Sequence, residues 1–111
     1  MGALSLSLIH ISSIVVIGDV EHGARIIAKG NIIVLGELKG TAAAGMAGNR
    51  DAVVVALEMA PTQIRISDAT SRFNEKNKKL GRGAMIASVE QDEVQIRPIK
   101  KTFLNNMLNF T

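Results

Sequence analysis

A repeat narrows what this chain can fold into more than any other feature. Ile14-Val-Val-Ile-Gly18 returns as Ile32-Ile-Val-Leu-Gly36 and again as Ala52-Val-Val-Val-Ala56, at offsets of 18 and 20 residues. Between these runs lie Gly-Ala-Arg-Ile-Ile-Ala-Lys-Gly (23–30), Gly-Thr-Ala-Ala-Ala-Gly (40–45) and Thr-Gln-Ile-Arg-Ile-Ser (62–67). The runs are short and β-branched, and Gly, Asn or Asp bound them, which reads as strands. No window from 14 to 67 carries a capped helical stripe. Short strands and glycine corners at this period predict a β-solenoid coil with three sides of about six residues, each strand pairing in parallel with its counterpart one coil away.

Parity tests the register. If Ile14/Ile32/Ala52, Val16/Val34/Val54 and Gly18/Gly36/Ala56 are stacked inward columns, the next side points Ala24/Ala42/Thr62, Ile26/Ala44/Ile64 and Ala28/Met46/Ile66 inward. All but Thr62 are apolar or small. The outward set of that side (Arg25, Ile27, Lys29, Thr41, Ala43, Gln63, Arg65, Ser67) is mostly polar, as period-2 alternation requires. The first side differs. Its outward positions Val15, Ile17, Ile33, Leu35, Val53 and Val55 are all apolar. Such a face needs cover. A second copy packed sheet on sheet about a two-fold axis is the sharper expectation, and cover by the C-terminal segment the alternative.

Beyond residue 67 the pattern changes. Residues 68–82 are polar and basic, with Lys76, Lys78, Lys79 and Arg82, and read as a surface loop. Met85–Val89 and Glu93–Arg97 alternate around Glu90-Gln-Asp92 and end at Pro98, which predicts a hairpin capping the coil. Phe103, Leu104, Met107, Leu108 and Phe110 give the tail the spacing of a short amphipathic helix.

Composition bounds the chemistry. With 47% hydrophobic and 21% charged residues among 111, the chain is no disordered segment. Zero Cys removes disulfides, thiolate nucleophiles and zinc–thiolate sites. Three Phe and no Trp or Tyr leave little for stacking on bases, and a net charge of +3 is a weak bias, so no nucleic-acid partner is expected. The apolar stretch 3–17 is too short and too broken by Ser and His to span a bilayer, and it lacks the basic start of a signal peptide, so a cytoplasmic location is expected. His10 and His22 have no evident catalytic partner. The glycines at 36, 40, 45 and 48 form no phosphate loop and read instead as coil corners that need positive φ and close approach. No cluster has metal-ligand spacing. These residues argue for a binding and assembly module, not an enzyme, with no cofactor and no metal.

The run Gly18-Asp-Val-Glu-His-Gly-Ala-Arg-Ile-Ile-Ala-Lys-Gly-Asn-Ile-Ile-Val-Leu-Gly-Glu-Leu-Lys-Gly40, continuing as Thr-Ala-Ala-Ala-Gly45, resembles the C-terminal domain of the MinC family of septum-site-determining proteins. The likeness covers about residues 14–98. It implies an all-β domain, a right-handed triangular β-helix that homodimerises. It also implies a cell-division regulator that binds the membrane-associated ATPase MinD, contributes to engaging FtsZ, restricts septum placement, and reaches the inner face of the membrane only through MinD. On this resemblance the dimer patch falls on Val15, Ile17, Ile33, Leu35, Val53 and Val55. Partner contacts fall on Asp19, Arg25, Lys29 and Lys39. Two departures bear on these expectations. No counterpart of the family's separate N-terminal domain is expected in these residues, and residues 1–13 do not match its Arg-Ser-Gly-Gln-like coil, so this segment is expected to be atypical, a truncation or a foreign junction. Thr41 stands where a basic residue often follows Lys-Gly. The competing class is a bactofilin-like structural β-helix that polymerises. A hexapeptide acyltransferase fits less well, because the offsets are uneven and His22 stands alone.

Overall fold

A computed structural model describes residues 7–10, 13–72 and 83–99. It contains ten strands: β1 (Ser7–His10), β2 (Ile14–Ile17), β3 (Arg25–Ala28), β4 (Ile32–Leu38), β5 (Thr41–Ala44), β6 (Val54–Met59), β7 (Gln63–Ile66), β8 (Ala69–Arg72), β9 (Met85–Glu90) and β10 (Glu93–Pro98). No helix occurs among the described residues. The tail expected to be helical, 99–111, lies outside them but for Ile99.

From β1 to β7 the chain shuttles between two sheets. One has the order β1-β3-β5-β7-β8, the other β10-β9-β6-β4-β2. Every pairing from β1 through β7 is parallel. The direction reverses where β8 folds back on β7, β9 on β6 and β10 on β9. Part of the segment expected to be atypical joins this pattern: Ser7–His10 pairs in parallel with Arg25–Ala28.

The register corrects the expected columns. Ile14 pairs with Ile32, and Ile32 pairs with Val54, not Ala52; Val16 and Val34 stack on Ala56. In the other sheet the inward columns are Ile26/Ala42/Ile64 and, in the row beyond, Ala44/Ile66 with Ala28. The cause is corner length. Gly36–Gly40 is two residues shorter than Gly18–Ala24, whereas nine residues (45–53) separate β5 from β6. Each slip is an even number of residues, so inside stays inside. Ile14, Ile26, Ile32, Val34, Val54, Ile64 and Ile66 all reach the core. Thr62 leaves it and donates a hydrogen bond to the Lys39 carbonyl (2.8 Å), and Met46 is only half-buried.

Within β4 a bulge sets Leu35 and Gly36 opposite the single residue Leu57, between the pairs Val34–Ala56 and Glu37–Glu58. Leu57 and Glu58 are consequently both exposed, and Met59 turns back into the core with Leu38 and Val20. The chain bends here onto a further side, held by Val20–Leu38 bridging. Gly36 makes the bend possible. A Cβ at this position would overlap the Gly18 carbonyl of the coil below. The glycine corners thus divide. Gly45 and Gly48 adopt positive φ (61° and 91°), whereas Gly36 and Gly40 are needed for closeness alone.

The hairpin closes one end of the second sheet. Its two turn residues, Gln91 and Asp92, both have positive φ (53° and 67°), as a two-residue type I′ turn demands. Its outer strand β10 carries Glu93, Arg97 and Pro98, which discourage further pairing.

Gly36→Ala should destabilise the fold by about 2 kcal/mol, because backbone rather than a mobile side chain opposes the new methyl. Urea unfolding would measure it, and an unchanged midpoint would contradict the close approach.

Candidate functional site

The outward side of the β2–β4–β6–β9 sheet is an apolar grid. One row is Val15–Ile33–Val55–Ile86, and the next is Ile17–Leu35, with Leu57 across the bulge. Exposure varies across it: Ile17 is 87% exposed and Val15 57% on the edge strand, whereas Val55, flanked by Ile33 and Ile86, is only 4% exposed. Polar groups bound the grid. At one end the Asn31 N–H donates to Ser13 Oγ (3.0 Å), and the Val53 N–H donates to Asn31 Oδ1 (2.9 Å). Val53 thus sits at the border, in the row of that ladder. Along the far strand, Arg97 pairs with Glu90. Sequence parity located five of these positions, and Val53 at their border. It missed Leu57, whose outward turn depends on the bulge, and Ile86, which arrives from the hairpin.

The other sheet presents a different outer face. Arg25, Ile27, Thr41, Ala43, Met46, Gln63 and Arg65 line an open groove of about 180 Å³. Arg25 and Thr41 are paired neighbours, as are Thr41 and Gln63, and Ala43 lies between Ile27 and Arg65. Arg65 is positioned by a hydrogen bond from its Nε to the Ser67 carbonyl (2.9 Å). Among the described residues neither Arg25, Lys29 nor Arg65 forms a salt bridge. A groove with aliphatic lining and two unneutralised guanidinium groups suits a carboxylate flanked by apolar side chains. The outward set of the sequence had held Arg65 but gave no reason to single it out.

The third region is acidic. Lys39 Nζ lies 3.4 Å from Glu37 and 3.6 Å from Glu21. Its hydrogen bond to Glu37, then the charge of Glu21, raises the Lys39 pKa above its ordinary 10.5. Asp19 accepts the Glu37 N–H (2.7 Å), tying one coil to the next. Glu58 is the paired neighbour of Glu37. The four residues expected to meet a partner therefore divide. Arg25 and Lys29 belong to the first sheet's outer side, and Asp19 and Lys39 to this acidic bend, where Lys39 is already engaged. No group of three or more His, Cys, Asp or Glu that could hold a metal occurs among the described residues. No helix there is long and apolar enough to cross a membrane.

What the coil offers is three surfaces of different chemistry on an all-β domain. Sequence comparison says which kind. The family "Septum formation inhibitor MinC, C-terminal domain" matches residues 7–99. The chain is 42% identical over 106 residues to a probable septum site-determining protein MinC of Agathobacter rectalis, covering 86% of this chain and 44% of that protein. It is 35% identical over 91 residues to its counterpart in Aquifex aeolicus, covering 82% and 45%. A solved MinC:MinD cell division protein complex from Aquifex aeolicus superposes with a TM-score of 0.77 at 31% identity, covering 95% of this chain and 88% of that one. The chain belongs to the MinC family, as its C-terminal domain. It spans less than half the length of these two curated relatives.

The Lys39 cluster yields a pH prediction. A raised lysine pKa means its stabilising contribution is complete below about 10.5 and is lost as pH rises through the higher folded value. Lys39→Met should therefore change the melting temperature by the same amount at pH 7 and pH 9. A difference that shrank between those values would contradict the pairing.

Proposed function

We propose that this chain is the dimerising, partner-binding module of a division-site regulator. Two copies pair through the apolar grid, with Val15, Ile17, Ile33, Leu35, Val53 and Val55 in the contact and Leu57 beside them. The coil that carries it is a right-handed, three-sided β-helix, β4 serving two sides through its bulge. The pair binds MinD and so reaches the inner face of the cell membrane from the cytoplasm. There it limits FtsZ assembly and restricts where the septum forms. Arg25 and Lys29, on the grooved face with Arg65, supply the cationic partner contacts. Asp19 and Lys39 take part only as the border of that contact.

The observation that carries this reading is the uncharged outer face of a sheet whose inner face already fills the core. Both sides of one sheet are apolar, and a second sheet is the natural cover. The likeness to a chain in a MinC:MinD complex supports MinD as the partner. End-to-end polymerisation is not favoured, because charged residues and Pro98 guard the β10 edge.

The test follows from exposure. Ile17 is largely bare in the single chain, so Ile17→Asp should leave the fold intact yet place a charge in the paired interface. Light scattering should then read a monomer whose melting temperature lies close to that of the parent. A dimer of unchanged mass would overturn the pairing face. For recruitment, the parent chain should sediment with MinD and ATP on anionic vesicles and not with ADP. Arg25→Glu combined with Arg65→Glu should reduce the sedimented fraction several-fold, and full recovery would remove the groove from the contact.

A further inference from the structure

The apolar grid is small, and one of its four strands does not belong to the coil. Four strands about 4.8 Å apart and two outward rows cover roughly 250 Å², against about 800 Å² per partner in a standard interface. Each strand therefore counts, and the polar rim must join the contact. The fourth strand, β9, comes from the C-terminal hairpin. It contributes Ile86 to the row of Val55, and it brings the Glu90–Arg97 pair to the rim.

What holds that hairpin in place is partly ionic. Through β9 it makes three register pairs with β6, Val54–Ala87, Val55–Ile86 and Ala56–Met85. Its turn is held separately. Arg50, in the segment between β5 and β6, places Nη1 2.7 Å from Asp92 in the hairpin turn and Nε 3.1 Å from Asp68 in the β7–β8 turn. One guanidinium thus joins three segments that are distant in sequence. The hydrogen bond donated to Asp92, then the charge of Asp68, raises the Arg50 pKa further, so the cation persists at every working pH. Asp68 and Asp92 are largely exposed, which leaves both pairs open to salt screening.

We propose that the hairpin is a working part of the pairing face, and that the Arg50–Asp68–Asp92 latch controls how firmly it is presented, which makes self-association sensitive to ionic strength. This rests on the pairing of two copies proposed above. Arg50 does not belong to the apolar grid. It is a positioning residue acting through β9.

Sedimentation analysis of the full chain tests the latch, with Arg50→Ala, Asp92→Asn and Ile86→Asp measured at about 50 mM and 500 mM salt. At low salt Arg50→Ala and Asp92→Asn should each weaken the dimer about three- to fivefold, the scale of an exposed ion pair. At high salt both should converge on the parent, whose own dimer should weaken over the same range. Amide exchange in 85–98 should accelerate in Arg50→Ala while that of β3 and β5 stays unchanged, which separates loosening of the hairpin from general unfolding. Ile86→Asp should weaken pairing at both salt concentrations. Equal dimer affinity in parent and Arg50→Ala at low salt would overturn the latch. If Ile17→Asp still abolished pairing, the pairing face would survive that failure. If Ile17→Asp also left the dimer intact, the pairing face itself would fall.

Discussion

Everything in this domain depends on the chain returning, after each coil, to a strand position of the same parity. The offsets between paired residues are 18 for β1–β3 and β2–β4, 16 for β3–β5, and 22 for β5–β7 and the start of β6 on β4. All are even, so corners can lengthen or shorten while isoleucines and valines keep facing inward. The single odd step is the bulge at Leu35–Gly36, and it is there that the chain turns a corner. A one-residue insertion elsewhere would expose a whole inward set. At the bulge it instead sets Leu57 and Glu58 side by side on the outside, ending the apolar side and beginning the acidic one. The price of such tight stacking is a ban on side chains where coils cross, which Gly36 and Gly40 meet.

This geometry sorts chemistry by side. Outward positions of the first sheet carry Arg25, Lys29 and Arg65, those of the second carry only aliphatic side chains over β2 and over β4 and β6 as far as the bulge, and the bend carries Asp19, Glu21, Glu37 and Glu58 around one lysine. Arg25, Lys29 and Arg65 are thereby kept on a different side from the carboxylates of the bend. Repulsion between Glu37 and Glu58, paired neighbours of like sign, costs stability that Lys39 offsets only for the first of them. A surface so partitioned orients an approaching charged partner before contact, which bears on association rate more than on final affinity.

Much of this was legible in the sequence, for a physical reason. Period-2 burial survives any even slip, so Val15, Ile17, Ile33 and Leu35 could be placed outward, and Ile26, Ile64 and Ile66 inward, without knowing corner lengths. The columns themselves could not be found this way. Nothing in Gly45-Met-Ala-Gly-Asn-Arg-Asp51 announces how many residues its turn absorbs, so Ala52 stood in for Val54. Alternation likewise says nothing of neighbours contributed by distant segments. That is why Ile86 beside Val55, Arg50 between Asp68 and Asp92, and Arg65 across Ala43 from Ile27 came only from the structure. Lys39 shows the converse. As a lone cation after Leu38 it looked available for a partner, yet Glu21 and Glu37 already hold it.

The modest extent of the apolar grid has a consequence for how such a module works. A broad, fully apolar interface would pair permanently and leave nothing to regulate. A narrow one, with its centre at Val55 shielded within the single chain and its edge at Ile17 bare, suits the pairing proposed above if that pairing is weak and follows local concentration. Confinement of molecules to a surface by a partner raises that concentration by orders of magnitude and converts a weak contact into a stable one without any new interaction. On the pairing proposed above, the grid needs only enough area to hold two copies once a partner has gathered them, and in that proposal the more polar side, with its open groove, does the gathering.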